Sequence, residues 1–214
     1  MVTICGRYSV LTEAEIIAIR EFIKDISMRI HQDDMDSRET CDGQIRPTNM
    51  APVIISNSTN TVSIENLRWG FKAWDSNQVI INARVDTIHV KSMFARLLYH
   101  GRCVVPAGQY FEWEKIGREN VKHFIKDRSG NLLFMAGLYR HSPEGNGREF
   151  VIITKDADET VKKIHDRMPV LLRADQIEDW FTGKLTPEDI TKAEFNMDVA
   201  PCDDEFIQLK LEVE

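Results

Sequence analysis

Four short stretches of the chain carry more polar chemistry than a fold requires: CGRYS at 5–9, INARVDT at 81–87, YFEW at 110–113 and IHDRMP at 164–169. Each sets one reactive group among apolar or aromatic neighbours. Cys5 is a potential thiolate nucleophile, Asn82 a hydrogen-bonding orienter, Glu112 an acid or base, and His165 a carrier of protons near neutral pH. Cys5, Glu112 and His165 together have the composition of a cysteine peptidase or amidohydrolase centre. Each residue also has a structural reading: a small core cysteine, a solvent-facing glutamate, an ordinary turn asparagine, a satisfied histidine.

The elements that must position these groups are legible from periodicity. Thr12 with Glu15 three residues on forms a capping-box pattern ahead of Ile16, Ile19, Ile23 and Ile26, which predicts an amphipathic helix over 12–30. A polar loop follows. Short runs rich in β-branched and aromatic residues then recur as PVIIS, TVSIENLRW, QVIIN, RCVVPA, KHFIK, LLFMAGLY and EFVIIT, separated by turn formers. Helical patterns interrupt them at 89–99, 157–165 and 175–182, where Asp175 and Glu178 suggest a cap; Thr186 before Pro187 has the form of an N-cap with proline at the first helical position. The expectation is a single α+β domain.

Composition narrows the classes. A 214-residue chain with 43% hydrophobic and 29% charged residues has the balance of a folded globular protein, not of a disordered or collagen-like one. No cationic stretch leads into an apolar run and no long apolar segment occurs, so no export signal or membrane span is expected. The cysteines Cys5, Cys41, Cys103 and Cys202 lie far apart, without the spacing of a zinc site, so neither a structural metal nor a cofactor is expected. The net charge of −7 is concentrated from Pro187 onward, which leaves the preceding body neutral overall and free to hold a local arginine cluster.

CGRYS, WG at 69–70, INAR at 81–84, RCVVPAGQYFEW at 102–113, MAGLY at 135–139 and IHDRMPV at 164–170, in this order, resemble the SRAP (SOS-response-associated peptidase) family. The resemblance implies a fold of mainly antiparallel strands, in a curved sheet or barrel-like core flanked by several helices. It implies a cytoplasmic DNA-damage-response protein, nucleoid-associated when bound, acting as a monomer. Its partner would be single-stranded DNA containing an abasic site, joined covalently through an amino-terminal cysteine as a thiazolidine. By the same resemblance Asn82 positions the amino-terminal residue and the sugar, Glu112 shuttles protons, and His165 assists opening of the sugar ring. Arg7, Arg84 and Arg167, with Thr154, would hold phosphates, as forked guanidinium donors suit. Trp74, Pro47 and Met93 would pack against flanking bases; Trp69 and Trp113 are expected in the core.

Members of the family begin Met-Cys, whereas Val2, Thr3 and Ile4 precede Cys5 here. Residues 1–4 are therefore expected to be an extension, 5–185 the SRAP-like domain and 186–214 an acidic appendage. Translation starting at position 4, self-cleavage before Cys5, or a permanent extension with loss of crosslinking are the three ways to account for it. Asp86 stands where the family has glutamate, and Ser92, beside Lys91, where some members have arginine. The rival functions are a cysteine peptidase or amidohydrolase and a non-covalent single-strand binder.

Overall fold

VSIENLRW at 62–69 buries Val62 and Ile64 and then, after a shift of phase at Glu65–Asn66, Leu67 and Trp69, so the two halves of the strand face two different apolar clusters. RCVVPA at 102–107 is buried at almost every position, as a strand covered on both faces must be. The computed structural model describes residues 6–9, 11–26, 43–56, 61–73, 78–145 and 147–202. In chain order the first half contains β1 (Tyr8–Ser9), α1 (Glu13–Ile26), β2 (Gln44–Ile45), β3 (Met50–Ser56), β4 (Val62–Trp69), β5 (Phe71–Lys72), β6 (Val79–Ile80), β7 (Asn82–Arg84), α2 (Ser92–Ala95) and α3 (Leu97–His100). The second half contains β8 (Arg102–Ala107), β9 (Tyr110–Ile116), β10 (Glu119–Asp127), β11 (Leu133–His141), β12 (Arg148–Asp156), β13 (Arg167–Pro169), β14 (Leu171–Leu172), α4 (Ile177–Thr182), α5 (Pro187–Ile190) and β15 (Met197–Pro201).

One sheet runs β15-β10-β9-β1-β2 and is antiparallel throughout. In the other, β11 pairs with β12 as well as with β8, so the pairings through β8, β3, β4, β12 and β11 close on themselves. The α+β architecture, mostly antiparallel and barrel-like, is thus the one the sequence leads to. Alternate residues of the ring strands join two apolar clusters: Val53, Cys103, Val105 and Ile152 pack with Tyr8, Tyr110 and Ile125 of the first sheet, while Ile54, Val104, Val151 and Ile153 pack with Ile19, Phe94, Leu97 and Trp180 of the helices.

Local chemistry fixes several junctions. Thr12 and Glu15 form the expected reciprocal cap at the start of α1: the Glu15 amide donates to Thr12 Oγ1 at 3.3 Å, and Thr12 N donates to Glu15 Oε2 at 2.6 Å. The WG pair has a steric reason. Gly70 sits at φ +110°, and a Cβ there would lie 2.2 Å from Val79 Cγ1, so only glycine turns the chain between β4 and β5 against β6.

Other expectations meet a different outcome. The 89–99 helix is a turn followed by the short helices α2 and α3, and 157–165 contains only a 3₁₀ turn at Val161–Lys163. The cap before α4 involves Arg173, whose backbone amide donates to Gln176 Oε1 at 3.0 Å, and not Asp175 with Glu178. Residues 187–201, expected within an acidic appendage, supply α5 and β15, the latter paired with β10 from His123↔Pro201 to Asp127↔Met197. Alternating Met197, Val199 and Pro201 suit an edge strand, and charge alone obscured that pattern. Residues 203–214, 1–5 and 27–30 lie outside the described residues. Among the described residues no helix is long and apolar enough to cross a membrane.

Candidate functional site

Strand β12 changes neighbours along its length, and that change builds the site. Its first half lies between β4 and β11; its second half lies between β7, which runs parallel to it, and β13, which runs antiparallel. The register sets Asn82 opposite Ile152, Arg84 opposite Thr154, and Arg167 opposite Asp156. Three consecutive strands therefore bring INAR, the end of EFVIIT and the DRMP segment to one corner.

Arg167 is the centre of that corner. It is buried, and its Nη2 donates to the Thr154 carbonyl at 2.8 Å and approaches Thr154 Oγ1 and Asp86 Oδ1 at 3.5 and 3.4 Å. Its Nη1 donates to Asp156 Oδ1 at 2.5 Å. A buried guanidinium must be met in this way, because an unpaired charge out of water is expensive. Arg167 Nε, also buried, meets no acceptor among the described residues. Arg84 differs in being more than half exposed; its Nε and Nη2 fork onto both Asp86 oxygens at 3.2 and 2.8 Å. That hydrogen bond holds the Asp86 carboxyl below its usual range and raises Arg84 above its own. Asp86 and Asp156 are thus the counter-ions of the corner; Asp156 carried no signal in sequence, since only strand register brings it opposite Arg167.

His165 lies just before β13. Its amide donates to the Val161 carbonyl at 3.0 Å, and Asp158 Oδ1 caps that turn by accepting from the Thr160 and Val161 amides. The Arg167 amide donates to His165 Nδ1 at 3.1 Å, so in the neutral ring the proton resides on Nε2. The half-buried imidazole is therefore fixed in both orientation and tautomer.

Glu112 and Arg7 belong to the five-stranded sheet. Tyr8 pairs with Tyr110, and the Phe111 amide donates to the Arg7 carbonyl at 2.9 Å, which lays residues 7–9 along YFEW. Glu112 is 1% exposed, on the same face as Tyr110. Arg7 lies on the other face, its guanidinium carbon 4.8 Å from the Trp113 ring centroid and its Nη1 3.4 Å from Gln44 Oε1, which Lys122 Nζ also reaches at 3.2 Å.

Trp69 ties the two sheets together. Fully buried, it stacks on Phe150 at 6.2 Å, meets Tyr8 at 5.1 Å, and donates from Nε1 to the Ile81 carbonyl at 3.1 Å, one residue before Asn82. Its backbone also anchors the turn bearing Pro47: Thr48 N donates to the Trp69 carbonyl at 2.8 Å and Trp69 N to the Asn49 carbonyl at 2.9 Å. Thr48 there adopts φ +76°, an unusual conformation for a β-branched residue that these bonds enforce. Pro47 is half-buried; Met93, in α2, packs partly buried against the helix-side cluster. Ser92 opens α2, with Lys91 exposed before it. Cys5 and Trp74 lie outside the described residues. The described thiol of Cys103 is buried in the barrel wall, where desolvation pushes it well up and makes it inert.

A sequence model described as SOS response associated peptidase (SRAP) matches residues 4–209. The chain is 32% identical over 200 residues to the abasic site processing protein YoqW of Bacillus subtilis (strain 168), covering 86% of this chain and 83% of that protein. It is 29% identical over 153 residues to the abasic site processing protein YedK of Escherichia coli (strain K12), covering 67% and 68%. A crystal structure of a protein from Bacteroides thetaiotaomicron matches with a TM-score of 0.73 at 23% identity, over 95% of this chain and 94% of that one. A phage-related protein from Bordetella bronchiseptica gives 0.73 at 20% identity, over 94% and 95%, and both of these likenesses are of fold.

Proposed function

The chain belongs to the SOS response associated peptidase (SRAP) family, and from that membership we propose that it recognises abasic sites in single-stranded DNA and joins itself to them through Cys5. The observation that carries this reading is the β7–β12–β13 corner, where Arg84, Arg167 and Thr154 gather beside Asn82 on elements separated widely in sequence. Forked cations at one rim suit phosphates on a single strand, and their value falls with salt.

The reaction needs an amine and a thiol on one residue. A ring-opened abasic sugar is an aldehyde; an α-amine, with a reference pKa of about 7.7 to 8.0, is partly neutral and adds to it. One water leaves to give the imine. The thiol then adds across the C=N bond, sulfur to carbon and proton to nitrogen, closing a thiazolidine with no net oxidation. Cys5 must therefore carry the α-amine, so the bond before it has to be opened by hydrolysis, or the active chain has to start there.

Glu112, buried beside the first strand, takes and returns the protons of imine formation and ring closure. His165, with Nε2 as its free donor, acts on the sugar ring oxygen. Asn82 orients the terminal residue and sugar, and Arg7 holds a further phosphate. Pro47, Trp74 and Met93 pack against flanking bases. Holding aldehyde and nucleophile together supplies much of the rate as effective molarity.

The test is incubation of a protein that begins at Cys5 with an oligonucleotide carrying one abasic site, resolved on a denaturing gel. An adduct that persists, and is lost in Cys5→Ala while non-covalent binding remains, is the expected outcome. An adduct retained in Cys5→Ala contradicts it.

A further inference from the structure

Directly opposite Glu112 in the β9–β10 ladder stands His123. Opposed residues of an antiparallel pair share a face, with Cβ atoms about 4.5 to 5.5 Å apart. The two side chains therefore sit side by side, and both are buried. Glu114, two residues along β9, shares that face and leads toward solvent, with a third of its side chain exposed. Nδ1 of the His123 ring lies 3.1 Å from the Val121 carbonyl and Nε2 lies 3.4 Å from Glu114 Oε2; both neighbours are acceptors, so a neutral ring donates to one of them.

We propose that His123 is a positioning residue for Glu112, donating from Nε2 to the Glu114 carboxylate and so holding that side chain aside from Glu112. This rests on the reading of Glu112 as the proton carrier. The physical problem it solves is specific: carboxylates at i and i+2 share one strand face, and like charges that close repel strongly where little water screens them. A ring that engages the outer carboxylate and fills the space opposite the inner one holds the two side chains apart. In a bland core position an apolar residue opposite Glu112 would pack equally well and leave Glu114 to the solvent.

The experiment compares single-turnover crosslinking to a single-stranded abasic oligonucleotide, with binding measured separately by fluorescence anisotropy. His123→Leu preserves bulk and is expected to slow crosslinking about tenfold, within the coupling typical of contacting residues, while leaving the dissociation constant unchanged. His123→Gln, which keeps a donor toward Glu114, retains most of the rate. The deciding variant is His123→Leu with Glu114→Gln: removing the stranded charge restores the rate. A merely structural role would not be rescued by that second change. A wild-type rate in His123→Leu, or a slow variant that Glu114→Gln does not restore, overturns the inference while the proposed function stands. A wild-type protein that begins at Cys5 and gives no adduct overturns both.

Discussion

Arg84 and Arg167 reach the same corner in opposite states, one exposed and one buried, and this difference separates their effects. Arg84 already forks onto Asp86 and needs only to turn to meet a phosphate. Arg84→Gln should weaken binding of an abasic oligonucleotide and lower the magnitude of the salt slope by about 0.7, the value for one phosphate on a single strand, measured by anisotropy across a salt series. Arg167 can offer little to DNA until Asp156, which is mostly exposed, swings away. Asp156→Asn removes that competitor and a repulsive charge, and should tighten binding by about fivefold, equivalent to about 1 kcal/mol, the upper end for an exposed charge pair; unchanged or weaker binding would show that Asp156 does not compete. At this scale polar groups set among apolar ones singled out Asn82, Glu112 and His165, and the family resemblance added Arg84 and Arg167. Asp156 and His123 did not stand out, because their partners are set by strand register and not by spacing.

Elements place these residues, and Trp69 is the side chain on which the placement turns. Trp69→Ala should destabilise the fold by about 3 to 5 kcal/mol in urea denaturation, through the cavity left between Tyr8 and Phe150 and the loss of its bond to the Ile81 carbonyl. A loss below about 1 kcal/mol would mean that the two sheets are joined elsewhere. The α5 cap gives a pH test. Lys192 and then Thr186 hydrogen-bond the Asp189 carboxylate and lower it to about 2 from 3.8. A lowered folded-state value means that the cap's contribution is complete above about 3.8 and is lost as pH falls toward 2. A carboxyl carbon NMR titration should place the Asp189 midpoint near 2, and a midpoint at or above 3.8 would contradict the cap. Thr186 and Pro187, like Thr12 and Glu15, were readable because caps are local. The 89–99 segment was misread because its apolar spacing fits a helix, yet the chain turns there until Lys91 to bring β7 against β12.

Across the whole molecule, the β11–β12 pairing closes the barrel that holds the corner, and the shared apolar cluster around Trp69 and Tyr8 joins the five-stranded sheet to it. Strand identity was legible from β-branched runs, but closure was not, since nothing local tells β12 to leave β4 for β7 halfway along. The acidic end misled for a similar reason: charge described its surface and concealed the edge strand β15 within it. In the proposed reaction Cys5 offers its amine and thiol to an abasic aldehyde. Its most direct test is the intact mass of the protein beginning at Cys5, before and after incubation with a single-stranded oligonucleotide bearing one abasic site. The expected product is a species with the summed masses less one water that survives denaturation and maps to Cys5. A protein mass unchanged after incubation and denaturation, despite demonstrated binding, would contradict it.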